Sequence, residues 1–161
     1  MGIGCINALK LNGFSVTGKK IVLIGGGGAG SAIADAIGEH RAAQLSLVEI
    51  DKLKSDTLLL KLQKQYPALT LENNISRPEE IDIVINASPS GMNKNDLLPI
   101  DPYTFRSGIV IADSVTKPNF TPFLKSAKSN GCFIQKGSEM ADAQLPIFLD
   151  FLGTPPENSH V

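Results

Sequence analysis

This sequence predicts a doubly wound parallel α/β sheet, on three observations. Short apolar runs alternate with longer amphipathic stretches along most of the chain. The runs are too short for helices and stop at glycine or a polar residue, as buried parallel strands do. The first run feeds directly into Gly25-Gly26-Gly27-Gly28-Ala29-Gly30. Alternation of this kind builds a parallel sheet with helices on its faces, here of about six strands with flanking N- and C-terminal helices.

The elements follow in order. Residues 20–24 form the first strand, carried by Ile21, Val22, Leu23 and Ile24. Residues 30–40 form a helix, with Ile33, Ala34 and Ile37 at helical spacing. Residues 45–48 form the second strand, closed by Glu49. Residues 52–66 form an amphipathic helix with Leu53, Leu58, Leu59, Leu60 and Leu62 set among lysines. It stops before Pro67, because the residue preceding a proline is pushed out of helical geometry. Residues 69–71 are a weaker third strand, and residues 81–85 a fourth that runs into Asn86-Ala87-Ser88-Pro89. Residues 108–112 are the fifth, ending at Asp113. Thr121 is expected to cap a helix over 122–129, with Gly131 just past its end. Residues 132–135 are a sixth short strand.

Two segments lie outside the sheet. Residues 3–11 place Ile3, Ile6, Leu9 and, less well, Cys5 on one helical side. Residues 140–152 carry Leu145, Ile147, Phe148, Phe151 and Leu152. Pro146 lies inside this stretch, so the helix either starts near it or is kinked there. These segments are expected to pack on each other and leave apolar surface on Ile3, Ile6, Leu9, Phe148, Phe151 and Leu152, which favours a two-fold homodimer. Residues 154–161 are polar and proline-bearing and are expected to fray.

Composition narrows the function classes. The 161 residues include 15 basic and 16 acidic side chains, for a net charge of −1, which argues against a general nucleic-acid binder. Apolar residues make up 42%, enough for a packed core. No apolar run has membrane-spanning length. The early basic residue Lys10 follows the apolar stretch, the reverse of a signal peptide, so a cytoplasmic protein is expected. Cys5 and Cys132 fit neither a disulfide framework nor a zinc site. No group of His, Cys, Asp and Glu has metal-ligand spacing.

The glycine segment satisfies G-x-G-x-x-G with Gly25, Gly27 and Gly30. Gly25 permits a tight turn, Gly27 lets backbone approach a pyrophosphate, and Gly30 lets the helix pack close to the strand. The helix start then offers free N–H groups and a positive dipole end to phosphates. Glu49 ends the second strand about twenty residues later, where an acid accepts hydrogen bonds from an adenosine ribose. A carboxylate there repels a 2′-phosphate, which favours NAD over NADP. Lys52 and Lys54 are the nearby cations able to hold such a phosphate. The alternative for Glu49 and Asp51 is that both are solvated loop acids.

Other chemistry-bearing residues read as follows. His40 suits a helix C-terminus. Asp113 lies on the ligand side of such a sheet, or caps the turn that follows it. Glu139 and Asp142 are either an acid/base pair near a nicotinamide or solvated helix-start acids. Ser88 and Ser90 have no histidine partner in view, so nucleophilic catalysis is unsupported.

Several segments in series resemble the shikimate/quinate dehydrogenase family. The glycine loop is similar to its G-A-G-G-A-A/G loop. Asn86-Ala87-Ser88-Pro89-Ser90-Gly91-Met92 is similar to its N-A-T/S-x-x-G-M segment. The stretch from Asp113-Ser114-Val115-Thr116 to Thr121-Pro122-Phe123-Leu124 is similar to D-x-x-Y-x-P-x-x-T-P-L-L. Gly137-Ser138-Glu139-Met140-Ala141-Asp142-Ala143-Gln144 is similar to G-x-x-M-L-x-x-Q, and Phe151-Leu152-Gly153 to the closing W/F-x-G.

The resemblance covers nearly the whole chain but only the cofactor-binding half of the family's protein. It implies a Rossmann-type NAD(P)-binding domain over residues 1–153, with residues 1–17 as a linker helix from an absent substrate domain. It implies cofactor contacts from Gly25, Gly27, Gly28, Ala29, Gly30, Glu49, Asp51, Asn86, Ala87, Ser88, Gly137 and Met140, and a substrate contact from Gln144. The substrate it implies is a cyclic hydroxy acid, bound only with the absent domain. Met1 falls where the family carries its catalytic aspartate, and Thr116 where many members carry tyrosine. No catalytic residue is therefore assigned, and the isolated chain is expected to be inactive. The alternative is a free-standing NAD-binding sensor or interaction module.

Overall fold

The computed structural model describes residues 1–93 and 95–152. Gly153, His160 and the expected frayed tail lie outside the described residues. The chain runs α1 (Gly2–Leu11), β1 (Lys20–Ile24), α2 (Gly28–Glu39), β2 (Gln44–Val48), α3 (Lys52–Gln65), β3 (Thr70–Asn73), β4 (Ile83–Asn86), β5 (Val110–Asp113), α4 (Pro122–Ser129), β6 (Phe133–Gln135) and α5 (Gly137–Phe151). Short 3₁₀ turns at Pro78–Glu80 and Pro102–Thr104 precede β4 and β5. The six strands are all parallel, in the order β3-β2-β1-β4-β5-β6. The order reverses beside β1, which places a ligand crevice outside the carboxyl ends of β1 and β4.

Strand residues alternate between two cores. Ile21, Leu23, Ile83, Ile85, Val110 and Ala112 face one, and Val22, Ile24, Val84 and Ile111 face the other. The first core is closed by α1, α2, α3 and α5, through residues such as Cys5, Leu9, Ile33, Leu62 and Met140. The second is closed by α4 through Phe123, Leu124 and Ala127, together with Phe105, Ile109 and Cys132.

Three features of the outlying helices bear on what was expected of them. Cys5, Ile6, Ala8 and Leu9 of α1 are buried, so Ile6 and Leu9 belong to the core and not to an exposed patch. Ile3 is exposed. A Cβ on Gly4 would lie 2.7 Å from the Met140 carbonyl oxygen, so glycine lets α1 and α5 cross closely. Second, α5 begins at Gly137, well before Pro146, and Pro146 lies within it. Its first turn is held by Glu139, whose Oε2 accepts from the Lys136 N–H at 2.6 Å. Third, α5 beyond Gln144 runs largely clear of the core. Leu145, Phe148, Phe151 and Leu152 are exposed there, as expected for the last three. Strand bounds also shift by a residue or two; Ile81 is buried but precedes the β4 ladder.

Candidate functional site

The site is built at the end of β1. Gly25 takes φ +94°, a left-handed conformation that favours glycine. Its N–H donates to the Val48 carbonyl at 2.9 Å, tying the turn to the end of β2. A Cβ on Gly30 would overlap the Gly25 carbonyl oxygen and sit 2.8 Å from its carbon. That closeness brings the start of α2 against β1. Gly27 is the N-cap, with no side-chain hydrogen bond, and Gly28 and Ala29 open the helix. A Cβ on Gly27 or Gly28 would meet nothing within 4 Å. The loop thus presents bare backbone and an uncapped helix start to open space, the surface a pyrophosphate needs.

Glu49 is latched to this loop. Its Oε2 accepts from the Gly26 N–H at 2.6 Å and its Oε1 from the Asp51 N–H at 2.9 Å. The Asp51 and Gly26 N–H groups hold its carboxyl below the usual carboxylate range, so it is an anion at neutral pH. Asp51 has a different task. Its Oδ1 accepts from the Leu53 and Lys54 N–H groups and caps α3, while its Oδ2 lies 3.7 Å from Lys54 Nζ. An open pocket of about 360 Å³ borders Gly26, Ser31, Lys54, Thr57 and Lys61.

The other wall comes from β4 and β5. Ala87 and Ser88 face Gly25, where a Cβ would lie 3.1 Å from the Ala87 carbonyl carbon and 3.0 Å from the Ser88 nitrogen. Asn86 is fully buried and points inward. Its Nδ2 donates to Asp113 Oδ1 at 2.9 Å and to the Ser90 carbonyl at 3.2 Å. Its Oδ1 accepts from the Ser88 hydroxyl at 2.6 Å and the Ser88 N–H at 3.0 Å. The Asn86 amide is fully used in shaping the loop. Asp113, also fully buried, accepts from Val115 N–H at 3.1 Å and Thr121 Oγ1 at 2.6 Å. Burial pushes its pKa up, against hydrogen bonds from Thr121, Val115 and Asn86 that pull it down.

The start of α5 completes the rim. A Cβ on Gly137 would lie 2.6 Å from the Val115 carbonyl carbon and 2.8 Å from the Ser114 carbonyl oxygen, so only glycine fits. Met140 is buried in the core. Gln144 is half-buried beside Gly4 of α1. Glu139 is engaged with the Lys136 N–H and with Asn12 Nδ2 at 3.4 Å. His40 Nδ1 meets the Ala36 carbonyl at 2.9 Å, the helix-end role expected of it. Among the described residues no group of three or more His, Cys, Asp and Glu side chains is placed to hold a metal, and no helix is long and apolar enough to cross a membrane.

Two features escaped sequence reasoning. One is the Asn86–Asp113 pair, which follows from the register that sets the two side by side. The other is Gln135, fully buried, whose Nε2 donates to the Cys5 carbonyl at 3.4 Å while Oε1 has no hydrogen-bond partner among the described residues.

No protein-family profile matches the chain. Among curated proteins, the NADP(+) shikimate dehydrogenase of Bacillus cereus strain B4264 is 28% identical over 143 residues, covering 86% of this chain and 52% of that protein. That of Clostridium botulinum strain Hall is 29% identical over 139 residues, with the same coverage. The chain is similar to the shikimate/quinate dehydrogenases. It matches the C-terminal domain region of shikimate dehydrogenase and spans about half the length of the curated relatives it matches. Among solved structures, the quinate dehydrogenase of Corynebacterium glutamicum in complex with NAD superposes with a TM-score of 0.81 at 25% identity, over 97% of this chain and 57% of that one. The ligand-free 5-ketofructose reductase of Gluconobacter sp. strain CHM43 gives 0.86 at 31% identity, over 93% and 56%. The six-stranded sheet described above is thus the fold of the nicotinamide-binding half of shikimate dehydrogenase relatives.

Proposed function

We propose that this chain is the nicotinamide-dinucleotide-binding domain of an oxidoreductase related to shikimate and quinate dehydrogenases. One observation carries the reading: an uncapped, open glycine loop at the sheet's switch point, with an ionised Glu49 latched to it. In this reading the amides of Gly27, Gly28, Ala29 and Gly30 receive the pyrophosphate. Glu49 turns its remaining lone pairs to the adenosine ribose, and Asp51 shapes that side by capping α3. Ala87, Ser88 and Gly137 form the wall along the nicotinamide half, with Asn86 and Met140 behind them. Gln144 meets a polyhydroxy substrate. A nicotinamide held there would supply the hydride acceptor or donor for the substrate.

NAD is the favoured cofactor, because the Glu49 anion opposes a 2′-phosphate. The NADP specificity carried in the names of the curated relatives weighs the other way, with Lys54 and Lys61 the cations within reach. Calorimetric titration decides between them. Wild type is expected to bind NAD more tightly than NADP. Glu49→Ala is expected to weaken NAD by about tenfold and narrow the preference, since an unmade polar contact costs about 1–3 kcal/mol. Equal or tighter NADP binding by wild type removes Glu49 from the selector role.

The 161-residue chain by itself is expected to bind cofactor without oxidising shikimate or quinate. Oxidation requires a base at the substrate hydroxyl, an effect worth about 10²–10⁴-fold. Glu139, the nearest sequence candidate, is tied to the Lys136 N–H and Asn12. Nicotinamide absorbance followed with both substrates and both cofactors provides the assay. Turnover that disappears on Glu139→Gln or Asp142→Asn would assign an acid/base pair within this chain and overturn the expectation.

A further inference from the structure

The buried carboxylate of Asp113 lies at the centre of a set of contacts that reaches every loop on one half of the crevice. Asn86 and Asp113 are register partners at the carboxyl ends of β4 and β5. Through Asn86, Asp113 fixes Ser88 and Ser90. Ser88 in turn abuts the Gly25 turn. Through the Val115 N–H it fixes the β5 loop, whose carbonyls at Ser114 and Val115 press on Gly137 at the start of α5. Through Thr121 it fixes the start of α4, because the same hydroxyl oxygen accepts from the Leu124 N–H at 3.3 Å. Gly91, at φ +101°, packs on the Thr121 side chain. The three donors to Asp113 are an amide, a backbone N–H and a hydroxyl, so directed hydrogen bonds hold it, and no salt bridge does among the described residues.

In a sheet of this order the two halves of a dinucleotide lie on opposite sides of the switch point. Glu49 and the β2 end belong to the adenosine side. The β4, β5 and β6 ends, all braced by Asp113 directly or through one residue, belong to the other. We propose that Asp113 is a positioning residue for the nicotinamide half of the cofactor, acting through Asn86, Val115 and Thr121 and not by touching the ligand. The proposal rests on the dinucleotide reading above. It separates the binding determinants of the crevice into two groups. Losing Asp113 frees the 87–90 loop and the 114–116 loop but leaves Gly25, Gly26 and Glu49 tied to β2.

The test compares ADP, which carries only the adenine and pyrophosphate portion, with NAD and NADH on the full chain. Asp113→Ala is expected to weaken NAD and NADH roughly tenfold while ADP changes by less than about twofold, the loss of one buried set of directed hydrogen bonds. The emission change of NADH on binding is expected to shrink, because it reports the surroundings of the dihydronicotinamide ring. Asp113→Asn keeps the acceptor for Asn86 and Val115 and is expected to recover most of the affinity. If Asp113→Ala does not fold, Thr121→Val carries the comparison, since it removes one donor and leaves the carboxylate in place. Its expected result is a smaller loss of NAD at unchanged ADP affinity. Equal losses for ADP and NAD would show a merely structural role and overturn the proposal, as would unchanged NAD binding. Wild-type protein that binds neither ADP nor NAD would remove the dinucleotide reading itself, and with it the proposal.

Discussion

Gly30→Val is expected to abolish dinucleotide binding and to destabilise the domain by about 3 kcal/mol, the upper end of the usual cost of overpacking. Gly30 is buried, and any Cβ there collides with the carbonyl group of Gly25. Neither side can yield easily. Gly25 is pinned by its N–H bond to Val48 and backed by Ala87. Moving α2 instead would pull Ile33, Ala34 and Ile37 out of the core. Relief of the clash must therefore open the turn that presents the amides of Gly27 and Gly28. Urea unfolding gives the stability change and calorimetry the binding. A Gly30→Val protein that still binds NAD with wild-type affinity would remove the glycine loop from the site.

Phe123→Ala is expected to cost about 3–5 kcal/mol, the range for truncating a buried phenylalanine. That is a large share of the roughly 5–15 kcal/mol that holds a typical domain together. Phe123 is fully enclosed and is the largest such side chain in the structure. It shares a core with Val22, Val84 and Ile111, on the face that α4 alone covers among the described α-helices. With α4 loosened, Thr121 at its cap loses its fixed relation to Asp113, so the cavity is felt at the crevice as well. Thermal and chemical denaturation check the magnitude. A change below about 1 kcal/mol would mean that the α4 layer repacks around the void.

The fold was legible because buried parallel strands are continuous apolar runs, and Ile21 to Ile24 or Ile83 to Ile85 admit few other readings. Helix starts were harder to read. The first turn of α2 is Gly28-Ala29-Gly30-Ser31 and the first turn of α5 begins with Gly137 and Ser138, so neither carries an apolar period. Their signals are close packing on Gly25 and on Val115, which no single sequence displays. Glu49 was assigned to the adenosine ribose by its position at the end of the second strand. Its two bonds to Gly26 and Asp51 depend on how the β2 turn folds back. The resemblance assigned Asn86 to the cofactor, whereas the folded chain turns its amide toward Ser88, Ser90 and Asp113. That inward turn depends on strand register, since only the alignment of β4 with β5 brings Asn86 and Asp113 together. Ile3, Ile6 and Leu9 share a nominal side of α1, yet α1 lies across both α2 and α5, which buries the last two and leaves the first outside.

The two cysteines lie on opposite faces of the sheet, Cys5 among the residues under α1 and Cys132 among those near α4. Burial pushes the Cys5 thiol up to about 12 and raises that of Cys132 as well, so both are neutral thiols while the layers stay closed. With Cys5 fully enclosed and Cys132 8% exposed, opening speeds alkylation at each, and each adduct records which layer came away. The chain thus contains two independent chemical clocks, one for each coat of helices, and the ratio of their rates measures whether the domain opens as one unit or sheds one face first.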